Sequence, residues 1–387
     1  MAKGTAMQNL FDYLEWRGDL SFTQDGFNEV DNLMFSVLAY IKFDGIVSEE
    51  TGADPIPLFK AARQFSEKKY KPNKDPFLKR TPDLLYKAAQ SERYRNIKLS
   101  YYVNQVDYEN SKQFSAVVFS IDNDLHFIAF RGTDDSIIGW KEDFLMSFMD
   151  PVQAQNQAVV YTKSIIGNLS GIFYLGGHSK GGNLAVYAAT HADETIRERI
   201  TGVYNNDGPG LHAKIIRSEG YKRALHKIIT FVPKSSIIGM LLEHGEECKI
   251  VGSRAASFMQ HNAFTWEVKG TNFVYEKGLT KYSLSINAAV RAWLNQVSVE
   301  EKAQFVDALF NIIQATGART IDDLSKEKLV MAVSMIKTYK NMDDLAKSNL
   351  KKFVEIFFKE SRTAIKDSIS ADLNSLFLKK KPRRKLR

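Results

Sequence analysis

Between residues 173 and 189 the chain reads "FYLGGHSKGGNLAVYAA", a short apolar run that passes within five residues into a helix-like one. No other stretch restricts the fold as much, because a strand that turns so sharply into a helix needs small residues on both sides of the turn. Gly177, Gly181 and Gly182 supply them, and Gly177-His178-Ser179-Lys180-Gly181 forms a G-x-S-x-G pentapeptide. Such a pentapeptide is common by chance, but between a strand and a helix it predicts Ser179 at the apex of the turn. The free N–H groups that open the following helix then point at any negative charge developing there. Ser179 is therefore a candidate nucleophile.

The flanking sequence fits that reading. "IKLSYYVNQVDY" (97–108), "FSAVVFSI" (114–121) and "LHFIAFRGT" (125–133) are β-rich runs parted by polar turns, and predict consecutive strands of one sheet. Helical and strand patterns then alternate: a helix over 152–168, the strand before Ser179, a helix from about 180, "ITGVYN" (200–205), a short helix near 213–225 and "KIITFV" (227–232). This alternation predicts an α/β fold, a mainly parallel sheet flanked by helices. Ligand sites in such folds gather at the carboxyl ends of the strands.

Three regions follow. Residues 1–95 read as helical, with Val30, Leu33, Met34, Val37, Leu38 and Ile41 at helical spacing in a packing segment over 27–43, and with 68–85 as an exposed connection leading to a short helix. Residues 96–280 hold the α/β core. Residues 281–387 are helical again: Ser298 and Glu301 make a capping-box pattern before Phe305, Leu309, Ile312 and Ile313, and Gly317 would close that helix. Two more amphipathic segments are expected near 325–339 and 343–378. Their role is an accessory helical domain, a dimer surface or, for the last, a lipid-surface contact.

Composition excludes several classes. The single cysteine, Cys248, allows no internal disulfide, and neither a secretion signal nor a membrane-spanning apolar run is present, so a cytoplasmic protein is expected. The net charge of +8 is concentrated in part in "KKKPRRKLR" (379–387). That tail reads as a solubilising end or as a peripheral contact with an anionic membrane surface. Nucleic-acid binding is not expected, because no domain supports it, and no metal-ligand cluster or phosphate loop is present.

"FIAFRGTDDSIIGWKEDF" (127–144) followed by "GHSKGGNLA" resembles the class 3, fungal-type lipase branch of the α/β-hydrolases. "NDGPG", "SIIGMLLEH" and "QHNAFTW" make the chain more similar still to a bacterial family of uncharacterised lipase-like proteins; the likeness covers about residues 97–270, with a further trace in "FDYLEWRGDLSF". The resemblance implies an α/β-hydrolase core, no cofactor, and hydrolysis of carboxylic esters, acyl lipids among them, through a Ser-His-Asp triad. It assigns Ser179 as nucleophile and Thr133 as the oxyanion residue, with the Lys180 amide completing the oxyanion hole.

In this fold the histidine follows the acid in the chain. Of the late histidines, His261 matches the catalytic one of the family and His244 one that is usually structural. The acid departs from the class 3 pattern, since the loop after "KIITFV" reads "PKSSIIG" and offers Ser235 and Ser236 but no carboxylate. Asp207, one strand earlier, is the candidate instead, an arrangement similar to pancreatic-type lipases; its other reading is a simple Asp-Gly turn. Asp143 matches a family aspartate that fixes Arg131 or the oxyanion loop. Residues 136–150 could form a lid or acyl wall, or pack as core. The missing carboxylate keeps a rival open: a weak or inactive hydrolase-fold protein that binds acyl lipid or a protein partner.

Overall fold

The computed structural model describes residues 8–68, 75–107, 112–134, 136–296 and 298–314, with positions 344, 347, 348 and 351. Its main sheet has eight strands whose order across the sheet follows their order in the chain: β1 (Ile56–Pro57), β2 (Lys98–Asp107), β3 (Lys112–Ser120), β4 (Leu125–Phe130), β5 (Ile172–His178), β6 (Ile200–Asn206), β7 (Ile228–Pro233) and β8 (Cys248–Val251). β1 to β4 pair antiparallel as a meander. From β4 to β8 every pairing is parallel. A small ribbon, β9 (Val268–Lys269) and β10 (Asn272–Phe273), stands apart.

Twelve described helices surround the sheet: α1 (Leu10–Arg17), α2 (Glu29–Leu38), α3 (Leu58–Glu67), α4 (Pro76–Gln90), α5 (Ile137–Met146), α6 (Gln153–Asn168), α7 (Lys180–Thr190), α8 (Glu194–Glu198), α9 (Ala213–Ile216), α10 (Glu219–Ala224), α11 (Lys281–Gln296) and α12 (Val299–Gln314). Because successive side chains point to opposite faces and both faces are covered, β3 and β4 are buried almost throughout. Val117, Phe119, Phe127 and Ala129 face one core, which α1 to α4 cover. Phe114, Ala116, Val118, Ile128 and Phe130 face a second, covered by α6, α7 and α10. The N-terminal helices are thus one of the two layers that bury the sheet.

α2 carries most of that layer. Asn28 Oδ1 accepts from the amides of Val30 and Asp31, while the Asp31 carboxylate accepts from Asn28 N–H, a reciprocal cap that starts the helix. Every residue from Val30 to Leu38 is buried. Burial of each of Leu33, Met34 and Val37 contributes roughly 1.5–3 kcal/mol. Asp31 also meets Arg93 (2.5 Å) in an ion pair with no solvent exposure on either side, and accepts from the Tyr13 and Tyr94 hydroxyls.

The expected connection over 68–85 is shorter than its Pro and Lys content suggests. Asp75 caps α4, Pro76 takes the first helical position, where its missing N–H is harmless, and the helix runs fifteen residues through Pro82. At the other end, Ser298 and Glu301 form the expected capping box (2.9 and 3.2 Å) and α12 follows. Gly317, the segments expected as helices over 325–339 and 343–378, and the tail 379–387 lie outside the described residues, apart from the four isolated positions. Among the described residues no helix is long and apolar enough to cross a membrane.

Candidate active site

Ser179 stands between β5 and α7 with φ 58° and ψ −134°, in a region that side-chain-bearing residues rarely adopt. Two close approaches force the turn. A Cβ on Gly181 would lie 2.1 Å from the Phe130 carbonyl at the end of β4, so only glycine lets α7 start there. A Cβ on Gly132 would lie 2.5 Å from the His178 carbonyl and 3.1 Å from Ser179 Cβ, which puts the loop after β4 directly against the serine. The Ser179 amide is held by the Asn206 carbonyl (2.9 Å), and Ser179 itself is 9% exposed.

Next to it in the sheet, β6 ends in Asn205-Asn206-Asp207. Asn206 exchanges two amide hydrogen bonds with Asn32 of α2 (2.9 and 3.0 Å) and also donates to Ser36 and to the Gly177 carbonyl. Asn205 bonds the Gly208 amide and carbonyl, which shapes the turn. Asp207 lies between them with φ 54° and a fully buried side chain. Its Oδ2 is 2.7 Å from Nδ1 of His261, and its Oδ1 accepts from the Ser236 hydroxyl (2.5 Å). Asp207, at the end of the preceding strand, is thus held by Ser236 of the "PKSSIIG" loop.

His261 stands on a short turn and is positioned from behind by His178. The His178 ring lies 4.6 Å from that of His261, and its Nε2 is 2.7 Å from the His261 carbonyl. A carbonyl only accepts, so His178 carries its proton on Nε2 and takes the Tyr40 hydroxyl at Nδ1 (3.2 Å). Burial, with His261 beside it, keeps the His178 imidazole well below its ordinary pKa and neutral. This residue is a support for the site. Among the described residues no hydrogen bond joins Ser179 Oγ to His261, whose side chain is 30% exposed; such contacts often tighten only when substrate binds.

The loop after β4, which carries Thr133, lies against Ser179 through Gly132. The Thr133 hydroxyl donates to Asp143 Oδ2 (2.6 Å). Asp143 therefore fixes the loop that carries Thr133, while Arg131 pairs with Asp134 (3.4 Å). Burial lifts the Asp143 carboxyl to about 6, against the opposing pull of Lys180 and of the Thr133 hydroxyl. The Lys180 side chain turns inward and is 1% exposed; its ammonium bonds Gln113 and Glu142. α5 is partly core, through Ile137, Ile138 and Met146, and partly surface, with Trp140 44% exposed.

His244 belongs to another network. Burial would lower its imidazole, but hydrogen bonding to Cys248 and Glu246 outweighs it and holds the group up at about 10. Nε2 donates to the Gly239 carbonyl (2.7 Å) and Nδ1 to Glu246 (3.0 Å), so both nitrogens are committed. The helices after residue 280 reach the same region. Ser283 donates to the Ser236 carbonyl, and α12 lays Phe310 against Phe144 of α5 (centroids 5.9 Å apart) with an ion pair from Asp307 to Lys141 (2.8 Å).

A mainly parallel sheet covered by helices on both faces, with a serine on a strained turn between strand and helix, is an α/β-hydrolase-type fold. The chain belongs to the Mbeg1-like family, whose model matches residues 88–311. A comparison with curated proteins returns no match. Among solved structures, the crystal structure of M37 lipase is similar at 13% identity and a TM-score of 0.32, over 54% of this chain and 68% of that one.

Proposed function

We propose that this chain is a serine hydrolase of carboxylic esters, with acyl lipids as the substrate class. The observation that carries the reading is the 2.7 Å contact of His261 Nδ1 with Asp207 at the end of β6, the strand paired with the one whose strained turn at Ser179 starts α7. In this reading Asp207 holds the His261 proton on Nδ1 and leaves Nε2 free to accept the Ser179 proton during attack on an acyl carbonyl. The Thr133 and Lys180 amides receive the oxyanion. His261 then returns the proton to the leaving alcohol, and a water molecule, activated by the same histidine, releases the acyl group.

Labelling with a fluorophosphonate probe tests this directly. Wild type should be labelled and Ser179→Ala should not, and Asp207→Asn should lower ester turnover by about 10⁴-fold by destroying the histidine orientation. A folded wild-type chain that takes up no probe would instead support the acyl-binding, non-catalytic alternative.

A further inference from the structure

Lys180 occupies the first position of α7, where the helix presents the positive end of its dipole and a cation is disfavoured. It is also buried, which disfavours an ammonium a second time. An apolar side chain would avoid both costs, so the charge calls for a role. Its three protons have three acceptors: the Gln113 carbonyl (3.0 Å), Gln113 Oε1 (3.1 Å) and Glu142 Oε2 (3.0 Å).

Glu142 is the centre of the arrangement. Oε2 also accepts from Gln113 N–H (3.0 Å) and Oε1 from Ala154 N–H (2.9 Å), so one carboxylate ties β3, α6 and, through Lys180, α7 to α5. The next residue along α5 is Asp143, which carries the Thr133 hydroxyl. Asp143 Oδ1 is shut off from solvent with no hydrogen-bond partner, and lies 4.0 Å from the Lys180 ammonium. Two adjacent carboxylates thus stand behind the loop that would receive an oxyanion, and Lys180 is the cation between them.

We propose that Lys180 is a positioning residue for the oxyanion loop: through Glu142 and Asp143 it seats Thr133 against Ser179, and its charge offsets the carboxylate that Thr133 rests on. The proposal rests on Ser179 being the nucleophile. Lys180 does not touch the substrate through its side chain, so its loss acts on turnover and leaves substrate binding nearly unchanged.

Lys180→Met alone strands the Glu142 carboxylate and can fail to fold, so the decisive variant is Lys180→Met with Glu142→Gln, which removes both charges together and gives up one acceptor, since the amide oxygen can serve only one of the Gln113 and Ala154 N–H groups; Glu142→Gln alone is the control for that loss. Folding is followed by near-ultraviolet circular dichroism and a urea midpoint; function is followed by probe labelling and by turnover of a short p-nitrophenyl ester. The paired variant should keep the wild-type fold and KM within roughly two-fold while kcat falls by about 10²-fold. Adding Asp143→Asn, which keeps an acceptor for Thr133 but removes its charge, should recover kcat by at least about five-fold.

A folded paired variant with kcat within roughly two-fold of wild type overturns the proposal, as does a paired variant that cannot fold where Glu142→Gln alone does, since Lys180 would then serve the fold alone. If Asp143→Asn recovers nothing, the charge-offset half is wrong. Wild type that takes up no probe overturns the nucleophile reading, and this inference with it, whereas wild-type labelling together with an unaffected paired variant overturns this inference alone.

Discussion

His178→Phe would test whether the residue before the serine is a support built for neutrality. The phenyl ring keeps the volume and the stack on Phe77, whose ring lies 5.2 Å away, so no cavity opens. It removes the partner of the His261 carbonyl (2.7 Å) and the Nδ1 acceptor of Tyr40, which retains only the His178 carbonyl at 3.3 Å. A buried polar group left without a partner costs about 1–3 kcal/mol, so the two together predict a loss of about 2–3 kcal/mol near pH 8. The pH dependence is the sharper part. The folded pKa of His178 is depressed, so its contribution is complete above the unfolded value near 6.5 and is lost as pH falls below it. Wild type should therefore surrender about 1.4 kcal/mol per pH unit below ~6.5 that the phenylalanine variant, with nothing to protonate, keeps. Urea unfolding followed by tryptophan fluorescence at pH 8, 7, 6 and 5.5 gives the gap directly. It should narrow by about half by pH 5.5. A gap that is constant with pH, or no gap at pH 8, would refute the assignment of His178 as a neutral donor to His261.

Two further outcomes follow from buried contacts. Ser236→Ala deprives Asp207 Oδ1 of its donor and Gly239 N–H of its acceptor (3.0 Å), and should lower ester turnover by about ten-fold while leaving probe labelling detectable; turnover equal to wild type would show that His261 alone orients Asp207. Arg93→Met strands the Asp31 carboxylate in a fully buried setting with two tyrosine hydroxyls and the Asn28 amide, and should cost about 3–5 kcal/mol in a denaturant titration. A loss below about 1 kcal/mol would mean that Asp31 becomes protonated or hydrated at little cost.

The strands and the elbow were legible because both depend on local pattern. Alternating faces, polar turns and glycines at fixed offsets are written in consecutive residues, as is the capping box of Ser298 and Glu301. Periodicity also showed that α2 has an apolar face, but not that this face lies on the sheet, since the residues it meets are distant in the chain. The extent of α4 was hidden by its prolines: Pro76 favours a helix start, while Pro82 in its interior reads as a break. The sequence singles out Asp207 by the lack of a carboxylate in the next loop and by resemblance, while its contact with His261 depends on a left-handed backbone that no short pattern announces. The turn pattern implicates only the backbone amide of Lys180. Its inward side chain was signalled only by a lysine between glycines in an otherwise apolar run, and its acceptors sit on β3 and α5, elements that sequence does not place beside it. Ser236 looked like a gap where an acid was missing, because a donor to a carboxylate and the carboxylate itself leave opposite marks in a sequence.

The amide pair between Asn32 and Asn206 spans 174 positions of the chain. At a synthesis rate of about 5–20 residues per second, α2 leaves the ribosome roughly 10–35 s before the strand end that carries its partner. During that interval the Asn206 contact behind the Ser179 amide does not exist, and a helix buried on nearly every side in the finished protein must wait with its apolar face only partly covered. Nascent chains arrested before residue 206 should therefore hold the N-terminal layer in a state open to chaperones, and the turn at Ser179 acquires its final geometry only late in the birth of the molecule.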